Sequence, residues 1–232
     1  PLQHPRFKLA AAFRSGHNPG GDYLDSFPLP GNRVFLAAGN VLGRGWETTL
    51  VIAAMRTAIR LFPEKSVPQP DELMKALNRH FLSIRGSVRH MTLFLGILDL
   101  ETGLLSYSGA GHCPPLLITE QGIVSLSTTG KPLGTSSVKG FASASRVLNP
   151  GEAFILYTYG WVRASGGVQT VLGHEQFLEA VITCKQTDPN RYAEAMQAEY
   201  KRLAFTGAVE EDRSILIITG DSNERPSEAP HA

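Results

Sequence analysis

The chain has 232 residues, 42% of them hydrophobic and 19% charged, with a formal net charge of +1. That length and composition suit one large globular domain with a well-buried core, and two small domains would also fit. The near-zero charge gives no electrostatic case for nucleic acid or an acidic membrane surface as a partner. The two cysteines, Cys113 and Cys184, stand far apart without a CxxC. This argues against a disulfide framework or a zinc site and fits a reducing cytoplasm. No apolar run approaches the roughly 18 residues that span a bilayer, so no membrane contact is expected within this chain. It opens on Pro1 without a signal-peptide pattern. It therefore reads as a piece of a longer protein, in which a sensor or membrane anchor would lie outside the sequence given.

In chain order, FKLAAAF (Phe7 to Phe13) predicts a first strand and RSGHNPGG (Arg14 to Gly21) a loop. DYLDSFPL and RVFLAAGN, joined by Pro30 to Asn32, predict a β-hairpin with a Pro/Gly turn. WETTLVIAAMRTAIRLF (Trp46 to Phe62) has helical spacing and is expected to end before Pro63. Leu50, Ala53, Ala54, Thr57, Ala58 and Leu61 fall on one face of it. After a Pro-rich link, Asp71 is a candidate N-cap for a second helix, Asp71 to Gly86, packed beside the first.

The middle of the chain is β structure. MTLFLGILDL and LLSYSGAG form a hairpin about Glu101 to Gly103, followed by PPLLIT, GIVSL, SASRVL and EAFILYTY. The unbroken apolar runs LFLGIL and AFILY predict strands buried on both faces. HEQFLEAVITC and PNRYAEAMQAEYKRLAF predict two further helices, SILIIT (Ser214 to Thr219) a last strand, and DSNERPSEAPHA a disordered polar tail. The element order makes an α+β domain, and two stacked, mainly antiparallel sheets between helical layers would use all of these elements. No interior linker is visible, and the expected division is residues 1–6 as the end of a linker, 7–220 as one domain and 221–232 as the tail.

Acidic residues gather at strand ends and turns: Asp22 and Asp25, Asp99 and Glu101, and Glu210, Glu211 and Asp212. Carboxylates at the ends of separate strands can converge on a hard cation such as Mg²⁺ or Mn²⁺. An acid beside a turn is also commonly a solvated or Asx-turn residue, and Asp99 and Glu101 fit that description. Gly39, Gly43 and Gly45 match neither the P-loop nor the dinucleotide-binding spacing. His112 in GAGHCPP suits either a catalytic base or a structural histidine, and Arg44 either a phosphate ligand or a solvated cation.

GGDYLDSF, AGNVLGRG, MTLFLGILDLETGLLSYSGAGHCPPLLI, KPLG, LNPGEAFILYTYGWVRA and EDRSILII occur in the order seen in PPM-type protein phosphatases. From about Phe7 to Thr219 the chain resembles the bacterial branch of that family typified by SpoIIE and RsbU. The resemblance implies an αββα sandwich and a pair of Mn²⁺ or Mg²⁺ ions on acidic residues at its mouth. These ions activate water for attack on phosphoserine or phosphothreonine. Of four metal-binding Asp positions, the first is present as Asp22. The bridging position, after the third strand, holds Asn40. The Asp of Tyr-Thr-Asp-Gly is replaced by Tyr159, and the leading Asp of a late Asp-Asp pair by Glu211, followed by Asp212.

An Asn oxygen can ligate a hard cation but brings no charge and bridges two ions poorly. A Tyr phenol stays protonated at neutral pH. The resemblance therefore implies a PPM-fold domain with lost or impaired catalysis that holds no ion or one weak ion at Asp22, Glu211 or Asp212. Such a domain would act by binding a STAS-type regulatory protein or a kinase. Homodimerisation through helices 46–62 and 71–86 is a further implication. The alternative is an active serine/threonine phosphatase acting on a STAS-type anti-sigma-factor antagonist, with Asp25, Glu210 or Asp212 as replacement ligands. Arg44, in the Gly-x-Gly turn, is the candidate phosphate ligand.

Overall fold

The computed structural model describes residues 4–16, 20–43, 45–65, 67–135, 140–162, 173–203 and 212–221. Three apolar clusters account for its layers. One sheet runs β2 (Asp22–Leu29), β3 (Arg33–Val41), β4 (Met91–Asp99), β5 (Leu104–Ala110) and β8 (Ser143–Val147). The other runs β1 (Phe7–Arg14), β10 (Arg213–Gly220), β9 (Ala153–Tyr157), β6 (Leu116–Thr119) and β7 (Gly122–Ser125). All strand pairings between them are antiparallel.

Strand alternation sends one set of side chains between the sheets and the other under the helices. Val34, Leu36, Ala38, Phe94, Phe154, Leu156, Leu216 and Ile218 fill the inter-sheet core. Phe35, Ala37, Leu93 and Leu95 pack beneath α1 (Trp46–Lys65) and α2 (Pro70–Ile84). Ile155, Tyr157, Ile215 and Ile217 pack beneath α3 (His174–Thr183) and α4 (Pro189–Leu203). The order helices, sheet, sheet, helices is the expected αββα sandwich. β9 and β10 are buried along their whole length, and β4 up to Asp99, because both of their faces are covered.

The helices differ from the sequence reading in three ways. α1 continues through Pro63 to Lys65, since a proline in the last turn forfeits only one intrahelical bond. α2 begins at Pro70 with Gln69 as N-cap, so Asp71 lies within the first turn, where its carboxylate meets Lys75 and Ser143. The largest correction concerns the buried face of α1. Val51, Met55, Ala58 and Ile59 are buried, whereas Leu50 is 70% and Leu61 55% exposed, with Ala53 and Thr57 also exposed. α1 is apolar on two faces, so periodicity alone cannot say which one meets the sheet.

The buried carboxylate of Asp25 fixes α1 on β2. Arg60 donates to it through Nε at 2.8 Å and Nη2 at 2.6 Å, and Tyr23 donates its hydroxyl at 3.1 Å. The Arg60 guanidinium also lies 4.9 Å above the Phe27 ring. Burial and the neighbouring Asp25 charge push the Tyr23 phenol up, so it remains a donor. Of the expected tail (221–232), Asp221 is held by the Arg6 carbonyl and Lys8, while residues 222–232 and residues 1–3 of the expected linker lie outside the described residues.

Candidate functional site

The site lies where the alternation of the inter-sheet face changes from apolar to polar. Along β3 the inward positions Val34, Leu36 and Ala38 are followed by Asn40. In β4 the inward residue before Phe94 is Thr92, and in β10 the one before Leu216 is Ser214. Phe154 and Leu156 of β9 lead to Thr158 just past the strand. Asp22 begins β2 opposite Asn40, and Asn40 pairs in turn with Thr92. Five polar side chains from five adjoining backbone segments thus meet at one end of the sandwich.

Asp22 is the hub. Its Oδ2 accepts the Thr158 hydroxyl at 2.5 Å and the Ser214 hydroxyl at 3.2 Å, and its Oδ1 accepts the Asn40 amide at 2.8 Å. A carboxylate offers only acceptors here, so Asn40 must present its NH₂. Burial pushes the Asp22 carboxyl up to about 6, helped by the nearby Asp212 charge and opposed by the hydrogen bonds from Thr158, Asn40 and Ser214. Asp212 accepts the Gly16 amide at 2.8 Å.

Backbones crowd closely around this end. A Cβ on Gly21 would stand 2.0 Å from the Val41 carbonyl oxygen, and one on Gly160 would stand 1.9 Å from that of Asp212. These glycines are required by close approach rather than by their backbone angles.

His112 is the second polar centre. Its Nε2 lies 3.1 Å from the Tyr157 carbonyl and its Nδ1 3.1 Å from Thr92 Oγ1. A carbonyl only accepts, so Nε2 carries the proton and Nδ1 accepts from Thr92. Burial lowers the imidazole to about 4 and keeps it neutral at pH 7. Cys113 also donates to the Tyr157 carbonyl at 2.9 Å, and burial raises its thiol far above the usual range. Of the two roles open to His112, these contacts describe the structural one.

The remaining candidates fall as follows. Tyr159 sits in a short 3-10 turn (Tyr159–Trp161), 42% exposed, with its ring edge-on to His112 at 6.5 Å between centroids. Its neighbour Thr158, rather than Tyr159, reaches Asp22. Asp25 faces the opposite side of β2 and is held by Arg60, which removes it as a replacement metal ligand. Asp99 accepts the Glu101 and Thr102 amides, the Asx-turn role expected of it. Arg44, Glu210 and Glu211 lie outside the described residues. Among the described residues, no group of three or more His, Cys, Asp or Glu is placed to hold a metal ion. Sequence reasoning missed Thr92, Thr158 and Ser214; the signal available was a hydroxyl at the inward parity just beyond an apolar strand run.

A cleft of about 330 Å³ opens beside Asp22 between β1, β2 and α1, with Phe13, Ile52 and Arg56 in its walls.

The sandwich is the fold of PP2C-type phosphatase domains. The family described as stage II sporulation protein E (SpoIIE) matches residues 30–220, and the chain belongs to that family. Protein IcfG of Synechocystis sp. is 24% identical over 203 residues. The match covers 76% of this chain and 32% of IcfG, so the chain spans about a third of that relative's length.

Among solved structures, the RsbU and RsbW domains of Rv1364c from Mycobacterium tuberculosis superpose with a TM-score of 0.80 at 27% identity, covering 96% of this chain and 61% of that one. The PP2C phosphatase domain of SpoIIE from Bacillus subtilis, which carries a fragment of its regulatory domain, gives 0.79 at 18% identity, covering 94% and 64%. The SiaA-PP2C domain of Pseudomonas aeruginosa gives 0.80 at 18%, covering 92% and 86%. The last two likenesses bear on the fold alone.

Proposed function

We propose that this SpoIIE/RsbU-like phosphatase domain of bacterial signalling is catalytically impaired or inactive and works by binding a regulatory protein. The observation that carries the reading is the Asn40 amide donating to Asp22 at 2.8 Å, in register across the β2–β3 pair. A two-ion centre needs a carboxylate here to bridge the cations; an amide N–H directed at the other ligand opposes one. Tyr159, at a second of the family's Asp positions, supplies no charge either. These residues do not fit a paired Mn²⁺ or Mg²⁺ site.

The partner is a STAS-type regulatory protein or a kinase. The neighbour from M. tuberculosis, which joins RsbU and RsbW domains in one chain, supports a partner from that circle. The exposed stripe of Trp46, Leu50, Ala53, Thr57 and Leu61 on α1 supports homodimerisation through the first helix pair. Among the described residues no helix is long and apolar enough to cross a membrane. A cytoplasmic setting belongs to this proposal.

One feature favours a second reading. Asp212 lies close enough for its charge to raise Asp22, and two carboxylates in proximity can share one divalent ion. A single-ion serine/threonine phosphatase acting on a phosphorylated STAS-type protein would use that pair.

Calorimetric titration with Mn²⁺ and Mg²⁺, run beside turnover of p-nitrophenyl phosphate, separates the two. The proposal expects weak or absent binding and no turnover; clear turnover in millimolar Mn²⁺ would overturn it in favour of the single-ion enzyme.

A further inference from the structure

We infer that the mouth of this sandwich is a metal-independent polar latch that fastens one sheet to the other. Hydrogen bonds of the β ladders join strands within a sheet, and contact between the sheets rests on the apolar side chains of the inter-sheet core. At the mouth that apolar contact stops and two polar bridges cross instead. Asp22 of the β2 sheet accepts hydroxyls from Thr158 and Ser214, which belong to the β9–β10 side. Thr92 of β4 donates to His112, whose other nitrogen donates to the Tyr157 carbonyl of β9. The Asn40 backbone amide donates to Thr92 Oγ1 at 3.2 Å while its side chain donates to Asp22, which joins the two bridges into one network.

Among the described residues the network is held together by protein groups alone. Asp22 accepts three donors, both His112 ring nitrogens are engaged, and the Thr158 hydroxyl oxygen accepts the Ser214 amide at 3.0 Å. Asn40 makes it so. An aspartate in its place would bring a second carboxylate within about 3 Å of Asp22, a like-charge contact that calls for a cation.

Thermal melting in EDTA and in millimolar Mn²⁺ tests this. Wild-type midpoints are expected to agree within about 1 °C, because a ligand that does not bind the folded state does not move its melting point. Thr158→Val should lower the midpoint by roughly 3–8 °C in both buffers, and Thr158→Ser, which keeps the hydroxyl, should recover most of the loss. Asn40→Asp should melt several degrees lower in EDTA and regain that loss in Mn²⁺.

A wild-type midpoint that climbs several degrees with Mn²⁺ would overturn the latch. So would an unchanged midpoint in Thr158→Val, or an Asn40→Asp variant as stable as wild type in EDTA. These readouts are separate from turnover: phosphatase activity would sink the functional reading above, and metal-sensitive melting of the wild type would sink the latch.

Discussion

At the scale of single residues, Asp22 and His112 are both forced from their ordinary ionisation, and their effects on stability oppose each other. The Asp22 carboxyl rises from 3.8 to about 6, so the folded state holds its proton more tightly than the unfolded chain does. Stability from this group is fully present below pH 4 and is lost as pH rises through 6, an effect of about 3 kcal/mol. His112 falls from 6.5 to about 4. Its protonation favours the unfolded chain, and stability is lost as pH drops from 6.5 towards 4, by a similar amount.

Between pH 4 and 6 the two slopes largely cancel, and single substitutions uncover them. Asp22→Asn should gain about 3 kcal/mol relative to wild type between pH 4 and pH 7.5. Urea unfolding at the two pH values reads this directly, and a relative stability indifferent to pH would contradict it. His112→Gln should instead reduce the loss between pH 6.5 and 4 by about the same amount.

At the scale of elements, α1 is the segment whose chemistry most exceeds what the fold requires. Val51, Met55, Ala58 and Ile59 seat it on the sheet, and Arg60 ties it to Asp25. The second apolar stripe remains outward, with Trp46 79% exposed. Its spacing of three and four residues is that of a helix–helix seam. Leu50→Glu is therefore expected to change unfolding free energy by no more than about 0.5 kcal/mol, since Leu50 is 70% exposed. The same change should abolish dimers seen by analytical ultracentrifugation if this stripe forms the homodimer. Dimers that persist in Leu50→Glu would place the interface elsewhere.

At the scale of the whole molecule, the inter-sheet core makes the two sheets a single cooperative unit. Phe154, 1% exposed, packs from β9 towards Phe94 of β4 at 6.4 Å between ring centroids. Phe154→Ala should cost about 3–5 kcal/mol. Because both sheets lose that contact together, far-UV circular dichroism and the fluorescence of buried Trp161 should report the same lowered urea midpoint. Two separated transitions would mean that the layers unfold independently.

The sequence by itself determined the order of elements and the hairpin that carries Asp22 and Asn40. Each of these follows from local signals, namely strand and helix periods and glycine or proline turns. The ordered motif blocks likewise pointed to Asp22 and Asn40 as positions that matter. Tertiary structure alone decided which of two apolar faces of α1 is buried, because both satisfy a helical period and only the sheet chooses between them. It also decided that Asp25, a candidate ligand in the chain, is committed to Arg60 thirty-five positions later. The latch was equally hidden: Thr92, Thr158 and Ser214 are unremarkable hydroxyl residues until two sheets bring their inward faces to one end. Contacts between residues as far apart as Asp22 and Ser214 arise only when the sandwich closes, and no local pattern encodes them.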